Sequence, residues 1–153
     1  MIFIIAPGPL KYSFVKEGLD YFLSKISPWV NIEAKFPKVK GSFENRDSRL
    51  KTEERILRRA FPKESYLILL DERGKGLSTK ELTFFLQEKL SLHKNLTFLV
   101  GGPEGISPQL KKEAHFWLSL SPLTLNHEIA LLVLAEALYR CISLLKGHPY
   151  HRE

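Results

Sequence analysis

Apolar and polar positions follow two rhythms along this chain, one suited to buried strands and one to amphipathic helices. Ile2–Ala6 is a continuous apolar run stopped by "PGP", which predicts a strand buried on both faces. From Leu10 to Ile26, Phe14, Leu19, Phe22, Leu23 and Ile26 share one helical face, and Pro28 closes the segment. "WVNIEAKF" (29–36) alternates and predicts a more exposed strand, and "PKVKGSFENRDSR" reads as a loop. Lys51–Phe61 predicts a helix with Ile56, Leu57 and Ala60 inward. "SYLILLD" (65–71) is a second buried strand, followed by "ERGKGLS" as a loop.

Ser78 with Glu81 forms a capping box for a helix over 79–90. "NLTFLV" (95–100) is a strand running into "GGPEGIS". Ser107-Pro108 opens a short helix to Glu113, and "FWLSLS" (116–121) is a last strand. "SPLTLNH" is a loop before a helix of about five turns over Glu128–Lys146. Strands alternate with helices throughout, so the expected fold is α/β, one domain over residues 1–153, with a mainly parallel sheet covered on both faces.

The last helix is apolar around most of its circumference, from Ile129 to Leu145. Such a helix is buried on every side. A twofold partner presenting the same helix would cover the face the sheet leaves free, as would another helix of this chain. Glu136 and Arg140, spaced i,i+4 within it, make it a poor membrane span.

Composition narrows the classes further. The chain of 153 residues carries 23 Lys+Arg against 17 Asp+Glu, a formal charge of +6 that favours polyanionic partners. The single cysteine, Cys141, rules out an internal disulfide, and "MIFIIAPG" is too short for a secretory leader, so a cytoplasmic protein is expected. Cys141 falls inside the apolar last helix, where packing suits it better than nucleophilic work. The histidines have no metal-ligand spacing, and no metal is expected.

Two strand-to-helix loops are the candidate site. "VGGPEGIS" (100–107) follows a buried strand, and its glycines let the backbone approach a ligand closely. It is neither a dinucleotide fingerprint nor a Walker loop, and Glu104 would repel a phosphate, so a neutral or cationic ligand fits better. "SLSPLTLNHE" (119–128) offers side-chain hydroxyls and uncommitted backbone groups, with Asn126 able to cap the final helix. The basic run Lys35, Lys38, Lys40, Arg46, Arg49, Lys51, Arg55, Arg58 and Arg59 could follow an RNA backbone or form a solvated helix face interleaved with Glu53 and Glu54.

Taken together, "LLDERGKGLS", "LVGGPEGIS", "SLSPLTLNHEIALLVLAEALYR" and the terminal "HPYHRE" resemble the small stand-alone SPOUT methyltransferases that modify pseudouridine in large-subunit ribosomal RNA. The resemblance covers essentially the whole chain and is strongest over 66–153. It implies a C-terminal segment threaded through a loop as a trefoil knot, which is an exception to unknotted connections. It also implies a homodimer, S-adenosylmethionine as methyl donor, and large-subunit rRNA as partner, with neither DNA nor a membrane. The product would be N3-methylpseudouridine in the stem-loop at the subunit interface.

The cofactor contacts implied are Leu70, Gly102, Ser121, Pro122, Leu123, Thr124, Leu125 and Asn126. In the tail, Tyr150 would stack on the base, His151 would accept or orient the N3 proton, and Arg152 would donate to the base or a phosphate. This chain departs from the family pattern at Leu131, where Arg is frequent, at Asn126, where Pro is common, and at Pro9, where Lys is frequent. A related SPOUT enzyme acting on tRNA or another rRNA base, and a non-catalytic RNA-binding assembly factor, are the other expectations.

Overall fold

The structure, a computed structural model, describes residues 1–152; Glu153, the last letter of the terminal motif, lies outside the described residues. Five strands are joined by helices: β1 (Ile2–Ile5), α1 (Ser13–Ile26), β2 (Ile32–Lys35), α2 (Arg46–Ala60), β3 (Ser65–Gly76), α3 (Thr79–Leu92), β4 (Asn95–Leu99), α4 (Pro108–Glu113), β5 (Phe116–Ser119) and α5 (His127–Leu145). The strand order is β2-β1-β4-β3-β5 and every pairing is parallel.

Strand alternation sorts the core into two layers. Ile2, Ile4, Ile68, Leu96 and Phe98 face α1, α3 and α5, packing with Val15, Leu19, Leu86, Leu131 and Leu138. Phe3, Ile5, Leu67, Leu69 and Leu99 face the other way onto Leu57 of α2 and Leu110 of α4. Helices therefore cover both faces, as parallel sheets require.

Several boundaries and faces differ from the sequence expectation, each for a local reason. Helix α1 starts only at Ser13, which puts Phe14 outward at 54% exposure and Val15 inward. Helix α2 starts five residues earlier than its apolar rhythm suggests, because Asn45 caps it by accepting from the Ser48 N–H at 2.9 Å. Strand β3 runs on through the polar residues Asp71–Gly76: after an irregularity at Leu70/Lys75, Lys75 and Gly76 pair with Leu118 and Ser119 of β5.

Helix α5 buries most of its circumference within its own chain, against α1, α3 and the sheet. Its apolar pattern is thus largely satisfied without a partner. Gly18 permits the close approach of α1, since a Cβ there would sit 2.5 Å from Leu132 Cδ1. On α5 Val133 is left exposed, with Ile129 and Ala137 half-buried one turn either side, while α1 exposes Phe14 and Tyr21, one turn either side of Gly18. No helix among the described residues is long and apolar enough to cross a membrane.

Candidate active site

At the carboxyl edge of the sheet, where ligands bind in parallel α/β folds, three strand ends enclose a cleft of about 490 Å³. The end of β3 supplies Leu69–Arg73, the loop after β4 supplies Val100–Ile106, and the loop after β5 supplies Leu120, Ser121 and Leu123–Leu125. Arg46, Lys111, His127 and Ala130 complete it.

The glycine loop is folded tightly enough to need its glycines. Gly105, at φ +82°, donates its N–H to Gly102 O at 3.0 Å. A Cβ on Gly101 would lie 2.8 Å from the Gly105 carbonyl, and one on Gly102 would lie 3.2 Å from Pro7 Cγ and 3.4 Å from Glu53 Oε1. Beneath the loop, Glu53 is buried, with Arg49 Nε 3.4 Å away. Burial raises its carboxyl above the usual range, and Arg49 offsets this only in part.

The 119–126 loop is ordered by its own hydroxyls. Ser119 Oγ donates to Ser121 O (3.0 Å), and Ser121 Oγ accepts from the Leu123 N–H (2.9 Å). Thr124 Oγ1 donates to Glu72 Oε2 at 2.7 Å, lacing this loop to the end of β3. Asn126 is spent on capping α5, accepting from Glu128 N (2.9 Å) and Ile129 N (3.4 Å). Of the residues expected to contact a cofactor, Leu70, Gly102, Ser121, Leu123, Thr124 and Leu125 line the cleft; Pro122 and Asn126 belong to the same loop without lining it.

Two carboxylates of the cleft, Asp71 and Glu104, are paired with arginines. Asp71 takes a two-pronged contact from Arg73 (Nε 3.0 Å, Nη2 2.9 Å), and that hydrogen bonding holds its carboxyl below the ordinary value. Glu104 is 3.4 Å from Arg46 Nε, and Arg46 Nη2 also donates to its carbonyl at 2.9 Å. Glu104 therefore lines the cleft at its exposed side with Arg46 as its nearest cation. His127 stands at the start of α5, its pKa lowered by burial despite Glu128 beside it, so its imidazole is mainly neutral at pH 7. The sequence did not single out Arg46 or Arg73 as cleft residues, because they reach the cleft from the first turn of α2 and the far end of β3, whereas His127 closes the 119–128 segment already read as a candidate.

The tail lies elsewhere. Gly147, at φ +69°, turns the chain back after α5, with the His148 N–H donating to Ser143 O (2.9 Å). Tyr150 packs on Tyr139 with ring centroids 4.2 Å apart, donates to Glu136 Oε1 (3.1 Å), and lies under Arg140. His151 Nδ1 sits 3.1 Å from Arg140 Nη1, and Arg152 is exposed. None of Tyr150, His151 and Arg152 lines the cleft of its own chain. Ala130 and Arg140, which mark the two places, are about 15 Å apart along α5. Among the described residues no group of His, Cys, Asp or Glu is arranged to hold a metal ion.

Comparison with known proteins places this geometry. A family model described as a predicted SPOUT methyltransferase matches residues 1–151. Proteins named ribosomal RNA large subunit methyltransferase H are similar along the whole length. The one from Stenotrophomonas maltophilia (strain R551-3) is 38% identical over 153 residues, covering 97% of each chain. That from Prochlorococcus marinus (strain NATL2A) is 37% identical over 150 residues, covering 98% of this chain and 94% of its own. That from Dictyoglomus thermophilum is 34% identical over 149 residues, 97% of each. A full-length match, over an all-parallel sheet with its cleft built from the matched glycine and 119–126 loops, leaves one conclusion: the chain belongs to the SPOUT methyltransferase family.

Proposed function

We propose that this protein, as a single domain over 1–153, is an S-adenosylmethionine-dependent methyltransferase acting on N3 of a pseudouridine in large-subunit rRNA. The observation that carries the reading is the match to ribosomal RNA large subunit methyltransferases over nearly the full length of both chains. Close lacing of residues 71–76 with 117–124, together with the family, supports a C-terminal segment that passes through a loop as a trefoil knot.

The cleft residues suit S-adenosylmethionine. Its volume falls in the range of small-molecule sites, its walls include Leu69, Leu70, Ile106, Leu120 and Leu125, and Arg46 and Arg73 are engaged by carboxylates. Gly102 lets the glycine loop lie close on Pro7 and Glu53, and Ser121–Leu125 offer backbone groups to an adenine. When bound, S-adenosylmethionine supplies a methyl group on a sulfonium, open to in-line attack by the base nitrogen.

The chain's own task is to hold that nitrogen in line, keep water out and relieve the N3 proton. Tyr150, His151 and Arg152 have the chemistry for it but lie beyond reach of their own cleft. The reading therefore assigns them to the cleft of a second copy in a homodimer. Two features support it: exposed Val133 on α5 with exposed Phe14 and Tyr21 on the helix packed against it, and a tail bonded to Glu136 of α5, one turn from Val133. There Tyr150 stacks on the base, His151 accepts or orients the proton, and Arg152 neutralises charge growing on the carbonyl oxygens. Undermodified ribosomes and labelled S-adenosylmethionine test this beside a chain truncated after Gly147 and the His151→Ala variant. The reading expects label from the full chain, none from the truncation, and a strong loss in His151→Ala with cofactor affinity intact. Wild-type turnover by the truncated chain would remove the tail from the mechanism.

A further inference from the structure

We infer that the outward face of α2 is the track along which the phosphate backbone of the RNA substrate leaves the cleft, held by Lys51, Arg55 and Arg59. The inference rests on the RNA-methyltransferase reading above and names a surface which that reading leaves open.

In sequence the helix carries six bases and three acids, with the acids interleaved among the bases. Folding separates the signs. Glu53 turns into the protein and is 2% exposed. Glu54 is drawn down onto α4, where Ser107 Oγ donates to it at 2.6 Å and Arg58 Nε at 3.0 Å. Arg58 is itself held between Glu54 and Glu113. Left at the solvent side are Lys51, Arg55 and Arg59, all exposed, at i, i+4 and i+8. That spacing puts them in one row at steps of about 6 Å. None of the three has a hydrogen-bond or ion-pair partner among the described residues. Asp47, the remaining acid of α2, is exposed in the first turn, where negative charge suits the helix N-terminus, and it stands one turn before Lys51, bounding the cationic row on its cleft side.

The row begins about 8 Å along α2 from the cleft, on the opposite side of the helix from Arg46. Helix α2 begins at Arg46, which lines the cleft and grips the glycine loop through Glu104. From Arg46 to Arg59 the helix runs about 20 Å. A regular line of unpaired cations on the outer side of a helix whose first residue lines the cleft matches a phosphate backbone better than the irregular charge of an acidic protein.

The test compares the chain with Lys51→Gln/Arg55→Gln/Arg59→Gln, with Lys25→Gln/Lys94→Gln as a charge-removing control away from α2. Binding to protein-free large-subunit rRNA is followed by fluorescence anisotropy across a salt series, and KM and kcat are measured on undermodified ribosomes. Each lost phosphate contact flattens the slope of log K against log salt by about 0.7. The triple variant should therefore lose about 2 from the slope and bind roughly tenfold or more weakly at low salt. Its kcat at saturating ribosomes and its S-adenosylmethionine affinity should hold, and the control should keep its slope. An unchanged slope in a folded triple variant overturns the inference. So does weaker binding to ribosomes with unchanged binding to protein-free rRNA, which would make the partner a protein. The binding arm needs no turnover, so a wild-type chain inactive on ribosomes would count against the function and leave the track to be decided by the salt slope.

Discussion

Replacing Gly101 with alanine should disable the cleft without unfolding the protein. A Cβ at this position would meet the Gly105 carbonyl carbon and oxygen at 2.8 Å, and ordinary contact begins near 3.4 Å. The obstacle is backbone, so no side-chain rotation relieves it; one strand of the turn must retreat by about 0.6 Å. Overpacking of this kind costs about 1–3 kcal/mol. The bond that yields first is the Gly105 N–H to Gly102 O contact at 3.0 Å, worth about 1 kcal/mol. Its loss moves Gly102, which lines the cleft. The expected Tm decrease is roughly 3–10 °C for a domain of this size. Affinity for S-adenosylmethionine by isothermal titration calorimetry should fall about tenfold or more, since sub-ångström displacement of a positioning surface is enough. Gly76→Ala is the matched comparison: its Cβ would meet nothing within 4 Å, so cofactor affinity should stay at the wild-type level. A folded Gly101→Ala protein that binds the cofactor as the wild type does would refute the assignment of this cleft.

Three further outcomes follow from buried and half-buried groups. Glu128, 1% exposed, accepts the backbone N–H groups of Lys11 (2.8 Å) and Tyr12 (3.0 Å), tying the entry of α1 to the start of α5; Glu128→Ala should cost about 2–4 kcal/mol in urea unfolding. For Glu53 the folded chain holds the proton more tightly than the unfolded chain, so its ionisation opposes folding as pH rises past the ordinary carboxyl value and through the raised one. Glu53→Gln should therefore gain on wild type as pH rises above the ordinary carboxyl value, keep that gain once pH has passed the raised one, and show little difference below about pH 4 by thermal melts; equal curves at every pH would contradict the burial effect. Val133→Glu puts a charge at the exposed apolar position of α5 and should give a monomer by light scattering, with methyl transfer lost; an intact dimer would move the interface elsewhere.

What the sequence disclosed follows the strength of its local signals. Apolar runs such as Ile2–Ala6 and 95–100 are strands because both faces are buried, and Ser78, Ser107 and Asn126 cap helices by side-chain bonds, as their spacing suggests. The glycine and 119–126 loops stood out as candidates because each joins a buried strand to a helix, and the structure brings both to one cleft. Polar segments were less legible. Nothing apolar marks the first turn of α2, and the paired stretch 71–76 of β3 reads as loop because its hydrogen-bonded partner lies more than forty residues away. Long-range pairing also decided the charges. Glu104 looked free to meet a ligand until Arg46 arrived from another element, and Glu53 looked like part of a solvated face until α2 turned it inward. The all-round apolar α5 suggested a partner helix more strongly than the fold requires, since α1, α3 and the sheet cover most of it.

The most direct measurement is the nucleoside composition of large-subunit rRNA from undermodified ribosomes after incubation with this protein and S-adenosylmethionine, read by liquid chromatography and mass spectrometry. The account predicts one new methyl per ribosome, on the ring of a pseudouridine at N3, with formation blocked in Gly101→Ala. A methyl group on any other nucleoside, or none at all from a protein shown to bind the cofactor, would contradict it.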